Sequence, residues 1–85
     1  MQIIKFNAVW CPGCLVMRPV WKKVLEAFPN LKITEYDYDV DEDEVLKYQV
    51  GDKLPVTIML DDDGKEVKRL VGEKSMEELI RFIEG

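Results

Sequence analysis

A β-branched, apolar run that stops at two cysteines three residues apart constrains this chain more than any other stretch. Residues 2–9 (Gln-Ile-Ile-Lys-Phe-Asn-Ala-Val) read as a strand, and Trp10-Cys11-Pro12-Gly13-Cys14 follows at once. If a helix begins there, Cys11 takes the N-cap, Pro12 falls on the first helical position where its missing N–H costs nothing, and Cys14 lies on the same side. A thiolate at Cys11 would accept hydrogen bonds from the N–H of Gly13 or Cys14 and face the positive end of the helix dipole, both of which favour it over the thiol. The strand thus delivers two thiols to its carboxyl end, where ligand sites of open α/β sheets gather.

Beyond the motif, apolar residues Cys14, Met17, Trp21, Val24, Leu25 and Phe28 recur at three and four, the spacing of one helical face from Cys11 to Phe28. Trp21 on that face reads as core. Pro29-Asn30 ends the helix, and residues 31–40 alternate as a half-buried strand, with Tyr36, Tyr38 and Val40 on one face and Glu35, Asp37 and Asp39 on the other. Asp41-Glu42-Asp43-Glu44 supplies the cap and acidic first turn of a short helix through Tyr48 or Gln49. Pro55 opens the strand Val56 to Leu60, Asp61-Asp62-Asp63-Gly64 turns the chain, and Lys65 to Val71 returns antiparallel. That carboxylate run reads as a solvated turn, because the helix-flanked twelve-residue pattern of a calcium loop is missing. Ser75-Met76-Glu77-Glu78 is a capping box for a helix to Ile83 whose apolar face is Met76, Leu79, Ile80 and Ile83. The order β-α-β-α-β-β-α, with a right-handed crossover and a final hairpin, predicts an α/β fold with a four-stranded mixed sheet of order 2-1-3-4 and helices on both faces.

Eighty-five residues suffice for one domain, residues 1–85. With 47% hydrophobic and 34% charged residues of mixed sign the composition is that of a globular chain. The net charge of -5, concentrated in residues 35–44 and 61–63, offers no basic patch to neutralise phosphates, so nucleic acid and anionic membranes are poor partners. No segment approaches the roughly 18 apolar residues of a membrane span, and the N-terminus lacks the features of a secretory signal. Read as a complete gene product the chain is expected in the cytoplasm, where a close cysteine pair is catalytic or metal-binding more often than structural.

Taken together, Trp10 before Cys11-x-x-Cys14, Pro19 five residues later, Pro55 opening the third strand and Gly72 ending the fourth resemble the thioredoxin family over nearly the whole chain. There is no counterpart of the N-terminal strand and helix of full-length thioredoxins, so the resemblance is to the minimal core shared with glutaredoxins. It implies a thioredoxin fold, a cis peptide before Pro55, and contact of that proline with the cysteines. Three positions depart from the family. Pro12-Gly13 reverses the usual Gly-Pro and is more like glutaredoxins and some disulfide oxidants. Lys53-Leu54-Pro55 replaces the Thr-Val-Pro that accompanies glutathione recognition. Lys5 stands where thioredoxins bury an acid that assists proton transfer at the second cysteine, and the family's neighbouring lysine position falls on Asp37. The resemblance therefore suggests a charge-swapped pair, Lys5 with Asp37, in which Asp37, or Glu35 on the same face, keeps an acid near Cys14. Otherwise Lys5 extends to solvent and biases the thiols by its charge alone.

What the resemblance implies is a protein-disulfide reductase. Cys11 is expected to be the exposed nucleophile that attacks a substrate disulfide, and Cys14, one turn in and more buried, to resolve the mixed disulfide. Trp10, Pro12, Gly13, Leu54, Pro55, Val71 and Gly72 would form the active-site rim, with Leu54 offering backbone hydrogen bonds to an extended segment. The chain has no histidine, so activation must come from the helix terminus and local charge. No cofactor beyond the Cys11–Cys14 disulfide and no metal is expected; the partners are protein disulfides and a reductase that supplies electrons, and the protein should act as a monomer. Three rivals remain: a metal or iron–sulfur module sharing CxxC pairs across a dimer, a glutathione-dependent reductase, and a non-catalytic interaction domain. The metal module is the main rival, but a structural zinc site usually needs four ligands and the chain has no further Cys and no His, so two chains would have to share their pairs.

Overall fold

Burial of one strand on both faces organises the sheet. The computed structural model describes residues 2–85. In chain order it contains β1 (Gln2–Asn7), α1 (Pro12–Ala27), β2 (Lys32–Asp37), α2 (Glu42–Lys47), β3 (Val56–Leu60), β4 (Glu66–Val71) and α3 (Met76–Glu84). Every residue of β3 is buried, Thr57 together with the four apolar residues, as a central strand covered on both faces requires. It lies between β1 and β4, both antiparallel to it, while β2 joins the far side of β1 in parallel. The resulting order β2-β1-β3-β4 is the one expected.

Alternation along β1 distributes the core over two layers. Ile3 packs with Met17, Trp21 and Val24 of α1 and with Leu79, Phe82 and Ile83 of α3. Ile4 and Phe6 point the other way, into a cluster with Val56, Ile58, Leu60 and Val50, closed by Val45 and Tyr48. Helices α1 and α3 therefore cover one face and α2 the other. Ile3, Phe6, Val24, Ile58 and Leu79 are sealed from solvent, and truncating such a side chain to alanine costs about 2–5 kcal/mol. The α3 start carries both halves of its capping box, Ser75 with Glu78. Phe82, absent from the expected apolar face, is buried there, whereas Ile80 is half-buried.

Two local readings of the sequence are corrected. The second strand stops at Asp37 instead of continuing to residue 40, because the Asp37 carboxylate accepts hydrogen bonds from the backbone N–H of Asp39 (2.8 Å) and Val40 (3.2 Å) and closes a turn. Val40 is consequently exposed. The Asp41 side chain does not cap α2; its Oδ2 accepts from the Asp37 N–H at 2.7 Å, which ties the helix entrance to the strand end. In the acidic hairpin, Asp61 Oδ1 accepts from the N–H of Asp63 and of Lys65, both at 2.9 Å, so its carboxylate serves the turn.

Candidate active site

Strand β1 ends at Asn7, and after three intervening residues the chain enters α1 through Cys11, whose φ of -90° and ψ of 109° are those of an N-cap. Its Sγ accepts the backbone N–H of Cys14 at 3.2 Å. Pro12 follows at the helix start, as its lack of a donor allows. The cap expected from the spacing therefore forms, with a thiol as the capping group.

A second segment closes over this turn. The Leu54–Pro55 peptide is cis, as the resemblance implied. A Cβ on Gly13 would meet Pro55 Cδ at 3.3 Å and the Leu54 carbonyl oxygen at 3.8 Å, so the glycine lets the two backbones approach. Gly72, at φ 91°, donates its N–H to the Pro55 carbonyl at 2.8 Å and holds the bend from the β4 side. Gly13, Leu54, Pro55 and Gly72 are thus brought together with the thiols. Val71 is exposed beside them, as are Trp10 and Val9. Trp10 donates its indole N–H to Asp39 Oδ2 at 2.7 Å and meets Tyr38 edge-on, with ring centroids 6.1 Å apart. The exposed indole is held, not free.

The expected exposure of the cysteines is not what the fold produces. Cys11 is 4% accessible and Cys14 8%, so the first is no more open than the second. Ala8 packs with both thiols, and Tyr38 and Leu54 lie against them, which accounts for the burial. What separates them is their electrostatic setting. Cys11 receives an amide N–H, whereas Cys14 is pushed up from 9.0 to about 11, first by burial and then by its hydrogen bond with Cys11; Lys5 and the backbone at Ala8 oppose the rise. Both cysteines are free thiols.

Lys5 is buried on the α1 face of β1, and its partner is not Asp37. Its Nζ is 2.8 Å from Glu35 Oε1 and lies over the Trp21 ring, 4.7 Å from the centroid. The parallel register explains the choice: Lys5 stands opposite Glu35, while Asp37 stands opposite Asn7 and spends its carboxylate on the turn at Asp39 and Val40. A shift of two residues keeps a side chain on the same face, so alternation alone could not separate the two acids. Glu35 Oε1 also accepts from Asn7 Nδ2 at 3.3 Å, and its carboxyl is held below the usual range chiefly by the Lys5 hydrogen bond. A groove of about 630 Å³ between α1 and β2 is lined by Lys5, Asn7, Cys14, Trp21 and Glu35 among others, and so opens beside the second thiol.

The sequence did not single out Asn7, Tyr38 or Asp39 as site residues. Tyr38 and Asp39 lie in the strand as read from sequence, and their turn toward Trp10 depends on where that strand ends. Among the described residues no group of three or more His, Cys, Asp or Glu side chains is arranged to hold a metal ion, and no helix is long and apolar enough to cross a membrane.

The thioredoxin family model matches residues 1–85. Thioredoxin of Chlamydia trachomatis is 36% identical over 83 residues, covering 98% of this chain and 79% of the relative. Among solved structures, Fasciola hepatica thioredoxin superposes with a TM-score of 0.87 at 28% identity, covering 98% of this chain and 77% of that one. The oxidised form of mitochondrial thioredoxin 3 from Saccharomyces cerevisiae gives the same TM-score at 25% identity, over 98% and 76% of the two chains.

Proposed function

This chain belongs to the thioredoxin family and is a protein-disulfide oxidoreductase, and we propose that it works as a reductase in which Cys11 attacks and Cys14 resolves. The observation that carries this assignment is the 3.2 Å bond from the Cys14 N–H to Cys11 Sγ, which supplies the acceptor geometry of a thiolate at a helix N-terminus. Cys11 sulfur attacks one sulfur of a substrate disulfide. A Cys11–substrate bond forms, the substrate S–S bond breaks, and the second substrate sulfur leaves as a thiolate that takes up a proton. Cys14 then loses its proton and attacks Cys11, closing the protein disulfide and releasing the other substrate thiol. Two electrons pass to the substrate, and a reductase returns the Cys11–Cys14 pair to the dithiol.

Proton loss from Cys14 is the demanding step, since burial holds this thiol protonated through neutral pH. Lys5, paired with Glu35, favours the Cys14 thiolate, and the groove lined by both gives the proton a path to solvent. Lys5 and Glu35 are thus positioning residues, and Asp37 is a turn former. Trp10, Pro12, Gly13, Leu54, Pro55, Val71 and Gly72 make the rim against which an extended substrate segment lies, with the Leu54 backbone hydrogen-bonding to it. The chemistry requires no cofactor beyond the two thiols. The setting proposed for it is that of a cytoplasmic monomer taking part in electron transport, its net charge of -5 opposing self-association.

Reduction of insulin tests the assignment. The wild-type chain should precipitate the insulin B chain in the presence of dithiothreitol, Cys11→Ser should lose the activity, and pre-reduced Cys14→Ser mixed with insulin without dithiothreitol should accumulate the mixed disulfide, seen by mass. Full activity in Cys11→Ser would overturn the assignment of Cys11 as the attacking thiol.

A further inference from the structure

The rim carries a charge that the exchange chemistry does not use. Glu73 follows Gly72 in the loop between β4 and α3, and its Oε2 lies 3.7 Å from where a Cβ on Gly13 would stand. Its carboxylate therefore overlies the first turn of α1, between the two cysteines in sequence. The helix has no acidic residue of its own there, and a carboxylate at this end is favoured by the dipole. The loop is anchored on both sides of Glu73: the Gly72 N–H bonds to the Pro55 carbonyl at 2.8 Å, and the Lys74 N–H points to Met17 Sδ at 3.3 Å. Glu73 itself is exposed and forms none of the ion pairs found among the described residues. Lys53 and Lys74 flank the rim in sequence, and neither neutralises it by such a pair. Across the motif, Asp39 is held at the surface by Trp10. The apolar rim of Trp10, Leu54 and Val71 is thus bounded by carboxylates on two sides.

We infer that Glu73 is a specificity-determining residue of the dithiol site, selecting protein segments that carry a lysine or arginine beside the disulfide cysteine. A segment lying across Gly13 and Leu54 toward Cys11 must pass this carboxylate. A basic side chain gains an opposite charge there, and an acidic one meets repulsion in both the encounter and the mixed disulfide. The inference rests on the reductase reading and names its substrate class.

The test uses the reduced full chain and two peptides, each holding one disulfide, identical except for lysine or glutamate next to the attacked cysteine. Rapid mixing reads the rate of protein oxidation by tryptophan fluorescence. At low salt the wild-type chain should favour the lysine peptide by about three- to five-fold, the range of one partly exposed charge pair, and the preference should shrink in half-molar salt. Glu73→Gln should bring the ratio close to one, and Glu73→Lys should invert it. Asp62→Asn, which removes the same charge from the distant hairpin turn, should retain the preference. An unchanged ratio in Glu73→Gln, or an equal loss in Asp62→Asn, would overturn the inference while leaving the reductase reading intact. Failure of the wild-type chain to reduce either peptide, together with a negative insulin assay, would remove both.

Discussion

Lys5 Nζ lies 2.8 Å from Glu35 Oε1, and the pair reaches from a buried strand position to an exposed one, with side-chain accessibilities of 10% and 61%. The lysine ammonium lies over the Trp21 ring, 4.7 Å from its centroid, and the charge is kept inside the fold by a partner that remains in contact with water. That charge opposes the burial of Cys14. Lys5→Met keeps the packing and removes the cation, so the Cys14 pKa should rise further and resolution of the mixed disulfide at pH 7 should slow by about three- to ten-fold. Single-turnover release of substrate thiol, followed against pH, checks this; an unchanged rate and profile would mean that Lys5 acts on neither thiol.

Glu35→Gln should be the more damaging change for stability, because it leaves the buried ammonium without a counter-charge. We expect a loss of about 1–2 kcal/mol at pH 7, moderated by the exposure of Glu35. The Glu35 pKa is lowered in the fold, so its contribution is present above the ordinary carboxylate pKa and is lost as pH falls through the lower folded value. The gap between wild type and Glu35→Gln in urea unfolding should therefore be constant near neutrality and close below pH 4.5, the ordinary value. In Lys5→Met/Glu35→Gln the penalty should largely disappear.

For the reduced protein, Cys14 sets an alkaline signature. Its pKa is raised from 9.0 to about 11, so the fold favours the protonated thiol. The stability this provides is complete below about pH 9 and is lost as pH rises through about 11. The difference in unfolding free energy between wild type and Cys14→Ser, both reduced, should shrink over that interval. The oxidised wild-type chain, which has no thiol to titrate, should lack this component. Iodoacetamide at pH 7 should accordingly leave Cys14 unmodified in Cys11→Ser, as mass spectrometry would show.

Two glycines of the site are held by different constraints, and alanine separates them. At Gly13 the new Cβ would stand 3.3 Å from Pro55 Cδ, on a bend fastened by Gly72. The helical advantage of alanine, about 1 kcal/mol, should be offset by that contact, and Gly13→Ala should be no more stable than wild type. At Gly72 a Cβ meets nothing within 4 Å, but φ is +91°, so alanine should cost about 1–2 kcal/mol through the backbone alone. Urea midpoints decide both; a Gly13→Ala chain stabilised by the full helical gain would show that the Pro55 loop yields freely.

The order of elements and the thiol cap at Cys11 were legible in the sequence because each rests on local chemistry, and the sheet order followed from the right-handed crossover and the final hairpin. A β-branched apolar run marks β1, a three-and-four spacing marks α1, and Ser75 with Glu78 marks the start of α3. Those signals act over a few residues and survive in any arrangement of the rest. Tertiary structure alone decided that Lys5 meets Glu35 and not Asp37, since parallel register resolves two acids that alternation places on one face. It also decided that Cys11 is as buried as Cys14, because Tyr38 and Leu54 come from segments far along the chain. The position of Glu73 over Gly13 belongs to the same class: it depends on how the loop after β4 is fastened to Pro55 and Met17. Periodicity and capping are written in neighbours along the chain, whereas register, burial of a loop and the placing of an unpaired charge are set by neighbours in space.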